Sequence, residues 1–176
     1  MAARRTVAAA SPTCSASYAP PRLHLAAPYE SEGSRGRAAV ALAPRCGFTC
    51  QPWQTDVLMD LGARTQDGSR YAHPVSGLSV PRQAGKSVVG IVWALMRAIA
   101  EGAKVLWTDH NYSTTCEMYR RFRRILGMRP ADPTAEFPEL NERLRYASAK
   151  TAQEAFFLKP PRRGAPSGSI HFATRT

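Results

Sequence analysis

The chain is poor in cysteine, in acidic residues, in lysine and in long apolar runs. It has four cysteines, at 14, 46, 50 and 116. Only Cys46 and Cys50 are close, and no His or second Cys pair stands beside them, so zinc-site spacing is absent. Four thiols in a chain this long also argue against a disulfide framework and imply reduced, intracellular thiols. No stretch approaches the ~18 consecutive apolar residues of a membrane span. Acids number 13 against 24 Lys and Arg, and 20 of those 24 are Arg. The net charge of +11 suits a polyanionic partner such as nucleic acid or nucleotide. An Arg-biased proteome would leave the same charge on a merely solvated surface.

Residues 1–29 contain no acid and carry Arg4, Arg5 and Arg22 among many Ala and Ser. That composition is shared by transit peptides and by irregular leaders from Ala/Arg-rich genomes, and the leader reading is preferred. A secretory signal is disfavoured, because "TVAAASPTCSASYAPP" has no sustained apolar core. Residues 1–45 show no period of 2 or 3.6, so a disordered or irregular leader is expected there. A folded domain is expected over 46–176, where an apolar fraction of 44% for the whole chain allows a packed core. There is no internal repeat.

From "FTCQPWQTDVLMDLG" the character changes. Pro52 suits a first helical turn, with Thr49 or Gln51 as cap; Trp53, Val57, Leu58 and Leu61 form a stripe that Gly62 ends. An Asp-Gly turn follows in "ARTQDGSRYAHP". "PVSGLSV" predicts a short strand, Val75 to Val80. "KSVVGIVWALMRAIAE", apolar nearly all round, predicts a buried helix ended by Gly102. "AKVLWTD" predicts a strand covered on both faces. "STTCEMYRRFRRILG" predicts a helix with Thr114 and Glu117 at capping-box spacing. Tyr119, Phe122 and Leu126, joined by Met118 and Ile125, face inward; Arg120, Arg121, Arg123 and Arg124 face out; Gly127 closes it. Beyond a Pro-rich connector, "PELNERLRYA" predicts a short helix. "EAFFLK" and "GSIHFATR" predict strands joined by the basic loop "PPRRGAPSG", with His171 on the solvent face. The order helix, strand, loop, helix, strand, helix is an α/β plan.

The chemistry concentrates in "SVPRQAGKSVVG". Its Gly85-Lys86-Ser87 is the tail of the phosphate-loop pattern G-x-x-x-x-G-K-[ST], although Val80 stands where the first glycine belongs. Pro81 supplies a different entrance turn through its fixed φ. Backbone N–H groups at a helix start bind phosphate oxygens, helped by the helix dipole. Gly85 allows close approach, Lys86 brings a point charge to the β and γ phosphates, and the Ser87 hydroxyl suits Mg²⁺. Arg82 adds a two-pronged cation. The competing reading is an ordinary strand-to-helix turn in which Lys86 is a solvated helix-start residue. On the outer helix face, Arg120 to Arg124 suit DNA phosphates or, the preferred reading, a solvated charged face.

"VPRQAGKS" resembles the variant phosphate loop of the large terminase subunit of tailed bacteriophages, the ATPase that pumps DNA into the capsid. That loop typically reads Arg-Gln-x-Gly-Lys-[Ser/Thr], often after Pro, and Arg82, Gln83, Gly85, Lys86 and Ser87 match it position by position. "GFTCQPWQTDVL" resembles the family's Pro-Trp-Gln segment, and the longer "YESEGSRGRAAVALAPRCGFTCQPWQ" its entry segment. "KVLWTDHNYSTTCEMYRRF" resembles the following strand, Thr-rich turn and helix, with Thr108-Asp109-His110 in place of Thr-Ala-His. "GSIHFATRT" resembles the strand that precedes the acidic motif. The resemblance covers residues 22–176. It implies an α/β fold of P-loop NTPase type, an incomplete parallel sheet flanked by helices, with ATP and Mg²⁺ as cofactors. It implies nucleotide contacts from Gln54, near the adenine, and from Pro81, Arg82, Gln83, Ala84, Gly85, Lys86 and Ser87. Arg82 and Lys86 inherit catalytic roles, and Ser87 the metal ligand. It also implies double-stranded viral DNA, the portal, the small terminase subunit and a homo-oligomeric ring as partners of the full-length protein in the bacterial cytoplasm, without a membrane.

Hydrolysis by such an ATPase needs an apolar strand ending in Asp-Glu. That motif is expected just past Thr176, and the nuclease domain is absent too, so a truncated copy is expected, marginally stable and inactive alone. Asp109 is the one acid that ends an apolar run, but His110 stands where the Glu belongs. Two other readings share these motifs: an inactive prophage remnant, and another P-loop NTPase or kinase, whose lid and acceptor site are not evident.

Overall fold

The computed structural model describes residues 23–26, 34–128, 134–137, 140, 144–146 and 168–174. Helix α1, Gly36–Leu42, runs into a 3₁₀ turn, Ala43–Cys46, and is followed by α2 (Pro52–Leu61), α3 (Lys86–Ala100), β1 (Lys104–Asp109), α4 (Tyr112–Leu126), β2 (Leu144–Tyr146) and β3 (Ser169–Thr174). The fold is mixed α/β. The three strands form one parallel sheet in the order β1-β3-β2. Among the described residues no helix is long and apolar enough to cross a membrane.

Within the span expected to be an irregular leader, residues 1–45, Gly36–Leu42 form α1. "GRAAVAL" is rich in good helix formers, and Ala39, Leu42, Ala43 and Cys46 are buried in the core. Tertiary packing of that kind, more than propensity, stabilises so short a helix. The contact is backbone on backbone. A Cβ on Gly36 would lie 2.3 Å from the Leu58 carbonyl oxygen, and one on Gly62 only 1.9 Å from the Gly36 nitrogen. The Arg35 N–H donates to the Gly62 carbonyl at 2.9 Å, and the Ser34 hydroxyl to the Met59 carbonyl at 2.7 Å.

Helix α2 has the expected limits, with Pro52 in its first turn, Gln51 as N-cap and Gly62 as C-cap. Helix α3 buries Val89, Ile91, Val92, Ala94, Leu95, Met96 and Ala98. Gly102, at φ 63°, ends it and lets the Ala103 N–H reach the Arg97 carbonyl at 3.0 Å. Helix α4 buries Thr115, Met118, Phe122 and Leu126, as its stripe implies. Its cap is Asn111, whose side chain accepts from Ser113 N at 3.0 Å, in place of the expected Thr114–Glu117 box. Glu117 instead pairs with Arg121 one turn on, at 2.5 Å.

The strands depart from expectation where burial depends on neighbours. Val75–Val80 is irregular and pairs with no strand among the described residues; Val75 is 89% exposed and Leu78 41%. Prolines bracket the segment and Gly77 interrupts it, so it lacks both the packing and the pairing that stabilise a strand. Strand β1 forms as expected but is covered on one face only, with Leu106 and Thr108 outward. It lies at the sheet edge. Strand β3 is central, and there the face expected to be solvated is covered: His171 is buried and bonds the Ser169 hydroxyl at 3.0 Å. Within the span expected as a short helix, Leu140 is helical, but Leu144–Tyr146 pairs with β3. The strand expected at "EAFFLK" lies outside the described residues.

Phe172 of β3 anchors the core beneath α4. Its ring meets Phe122 at 5.2 Å, Tyr119 at 5.5 Å and Trp107 at 6.3 Å between centroids. A second cluster locks the far end of α3. Glu101 accepts from Arg64 and Arg97 at 2.9 Å each, lies 3.7 Å from Arg35, and accepts the Tyr71 hydroxyl. The Arg64 and Arg97 guanidiniums lie 4.2 and 4.3 Å from the Tyr71 ring centroid, and Trp93 meets that ring edge-on at 5.7 Å. Burial, followed by the hydrogen bond to Glu101, pushes the Tyr71 hydroxyl up to about 12. The connecting 64–71 loop makes the expected Asp-Gly turn, and Asp67 accepts from both Ser69 and Thr65 hydroxyls. Those bonds hold its carboxyl down at about 2.

Candidate functional site

The segment 81–87 enters α3 through an alternating backbone. Gln83 has φ 63°, and it is the only non-glycine with positive φ among the described residues. Ala84 is therefore on the negative side, Gly85 returns to φ 91° and ψ 19°, and Lys86 opens the helix. Such alternation turns successive backbone N–H groups toward one concavity, a geometry that binds anions. No side chain caps α3, so the N–H groups of Lys86 and Ser87 keep their donor capacity, while that of Val88 is donated to the Gly85 carbonyl. The helix dipole adds positive potential at the same point.

Pro81, Arg82, Gln83 and Lys86 are exposed, while Ala84, Gly85 and Ser87 are half-buried. Among the described residues neither Arg82 nor Lys86 has an ion-pair or hydrogen-bond partner. Both cations are thus available to a ligand at the helix start. Ser87, in the first turn, is the one hydroxyl of the segment. Among the described residues no group of three or more His, Cys, Asp and Glu could hold a metal on its own.

Gln54, which the resemblance puts near an adenine, lies against this loop with its amide engaged. The side chain is 3% exposed. Its Oε1 accepts the Gln51 N–H at 2.7 Å, closing a capping-box bond on α2. Its Nε2 donates to the Gly85 carbonyl at 3.0 Å. That carbonyl also accepts the Val88 N–H at 3.0 Å. A Cβ on Gly85 would stand 2.7 Å from Gln54 Nε2, so Gly85 is required both by its left-handed φ and by this approach.

Asp109 ends β1, at the carboxyl end of the parallel strands, where open α/β sheets hold their ligands. Its Oδ2 accepts the Trp107 indole N–H at 3.0 Å. The Trp107 ring packs against Gly90, where a Cβ would lie 2.9 Å from it. Asp109 is thereby tied, through Trp107, to the second turn of α3. His110 is exposed beside it. Arg120, Arg121 and Arg124 are exposed on α4, while Arg123 donates to the Tyr119 hydroxyl at 3.1 Å. No disulfide joins Cys46, Cys50 or Cys116. Burial pushes the Cys46 thiol up to about 11 and raises that of Cys50, which keeps both protonated and unreactive.

The sequence singled out every residue of the loop. It missed the engagement of Gln54 with Gly85 and the Trp107–Asp109 bond. The only signals for these were a buried-type Gln in an apolar helix and the i, i+2 spacing that puts two strand residues on one face. Comparisons with protein-family models, with curated proteins and with solved structures find no match to this chain.

Proposed function

We propose that residues 81–87 bind the phosphates of ATP, and that the chain is the ATP-binding portion of a DNA-packaging motor ATPase of the terminase large-subunit kind. The observation that carries the phosphate reading is the alternating φ at Gln83, Ala84 and Gly85, at the start of a long buried helix with two cations that have no partner among the described residues. The motor assignment rests on the sequence resemblance, whose loop and Pro-Trp-Gln segment meet through the Gln54–Gly85 bond.

Within this reading the backbone N–H groups of the loop and of the first turn of α3 hold phosphate oxygens. Lys86 neutralises charge as a mobile ammonium, and Arg82 offers a planar fork suited to a terminal phosphate. The Ser87 hydroxyl is the group that would hold Mg²⁺, which when bound offsets charge on the phosphates. The half-buried Ser87 and the glycine cradle fit such a group. Asp109 is engaged with the Trp107 indole, and among the described residues no second carboxylate stands beside it to orient a water, so binding without turnover is the behaviour expected of these residues.

Calorimetric titration with ATP and Mg²⁺ tests the reading. Binding is expected, and Lys86→Ala should weaken it by about 10- to 100-fold, the loss of one charge-assisted contact. Lys86 is exposed, so the variant should fold as the parent does. Equal binding by both proteins would refute the loop assignment.

A further inference from the structure

Gln54 is the one polar side chain that joins the loop to the rest of the protein among the described contacts. We infer that Gln54 is a positioning residue for the phosphate loop, acting through the Gly85 carbonyl and not by reading the nucleotide base; the inference rests on the phosphate-binding reading above. It departs from the role beside the adenine that the family resemblance implies.

The geometry leaves the amide little to offer a base. Oε1 is committed to the Gln51 N–H at 2.7 Å and Nε2 to the Gly85 carbonyl at 3.0 Å, and the residue is 3% exposed. Turning toward a ligand would break both bonds and take from the Gln51 N–H its partner at the α2 N-cap. The bonds instead fix a direction. The Gly85 carbonyl is held by two donors, Gln54 Nε2 and Val88 N. In a planar trans peptide the following N–H points opposite to the carbonyl. Pinning the Gly85 carbonyl therefore pins the Lys86 N–H outward, at the mouth of the helix, where a phosphate oxygen would be met. The same amide closes the space that a side chain at position 85 would need. Gln54 thus holds both the orientation and the left-handed turn of the loop.

The test compares MgATP, MgGTP and inorganic tripolyphosphate binding in the parent chain, Gln54→Met and Gln54→Glu. Met keeps the volume and loses both bonds, so the core stays filled; Glu keeps the acceptor for Gln51 and turns an oxygen on the Gly85 carbonyl. Each variant should weaken all three ligands by one common factor, about 5- to 10-fold, the worth of one or two hydrogen bonds. Amide exchange at Lys86 and Ser87 should quicken relative to the amides of β3. Loss confined to ATP, with tripolyphosphate unchanged, would overturn the inference in favour of base contact. If the parent binds none of the three and Lys86→Ala changes nothing, the phosphate reading fails. Amide exchange then decides the positioning role alone, and unchanged rates at Lys86 and Ser87 would overturn it too.

Discussion

Gly85→Ala isolates what this loop demands of its glycine, because the cost has two separable parts. The first is conformational. At φ 91° an L-residue is strained by about 1–2 kcal/mol. The second is steric. The new Cβ would sit 2.7 Å from Gln54 Nε2, closer than such atoms approach. A long side chain would ordinarily swing aside, but Gln54 is 3% exposed and held at its other end by Gln51. It yields only by giving up the Gly85 carbonyl, a hydrogen bond worth about 1 kcal/mol net. The full substitution should therefore cost about 2–3 kcal/mol. In a Gln54→Ala background the obstacle is gone, and Gly85→Ala should cost only the conformational part. The coupling in the double-mutant cycle should be about 1 kcal/mol. Urea unfolding followed by tryptophan fluorescence, with m-values checked for constancy, reads all four proteins. Additive costs would refute the Gln54–Gly85 contact. A cost near zero in the parent background would refute the left-handed turn itself.

Two further outcomes follow from the core and from the Glu101 cluster. Phe172→Ala removes a fully buried ring that touches Trp107, Tyr119 and Phe122, and should destabilise by about 3–5 kcal/mol in the same unfolding assay; a loss under about 1 kcal/mol would mean that β3 is not the centre of the sheet. Tyr71, raised to about 12 in the folded chain from 10.0, favours the folded state fully below its unfolded value. That contribution should fade as pH rises from 10 through 12, and Tyr71→Phe should flatten the fall in stability over that window. A parent and variant with the same alkaline profile would show that the hydroxyl is not buried and held by Glu101 as described.

Elements fixed by local signals were legible, and those fixed by distant partners were not. Pro52 and Gly62 bounded α2, and the all-round apolar run with Gly102 bounded α3, because caps and terminators act within a few residues. Helix α1 was hidden. Its start depends on Gly36 meeting Leu58 and Gly62, a contact that no local period records. The segment 75–80 misled in the opposite sense. Its valines and leucine have strand character, but a strand is stable only with a neighbour to pair with, and among the described residues none pairs with it. The covered His171 and the outward Leu106 show the same rule inside one sheet, since the middle strand is buried on both faces and the edge strand on one. Glu101 draws Arg35, Arg64 and Arg97 together from three stretches of chain, a convergence only the fold creates.

The candidate site joins both kinds of information. Gly85, Lys86 and Ser87 announced a tight turn into a helix, because glycine is the residue that such a turn needs. The strand expected to deliver the chain into that turn did not form. The turn nonetheless has alternating φ, so its support must come from elsewhere, and the contacts show where. On its entry side Pro81, Arg82 and Gln83 are exposed, and the bond holding them is a long one, Ala84 N to the Pro81 carbonyl at 3.4 Å. On its exit side the Gly85 carbonyl has two donors at 3.0 Å, one from α3 and one from α2. The loop is built backward from the helix it opens. Gln54→Met and Val88→Pro, which delete those two donors, should therefore disturb it more than any change in the segment 75–80 that precedes it.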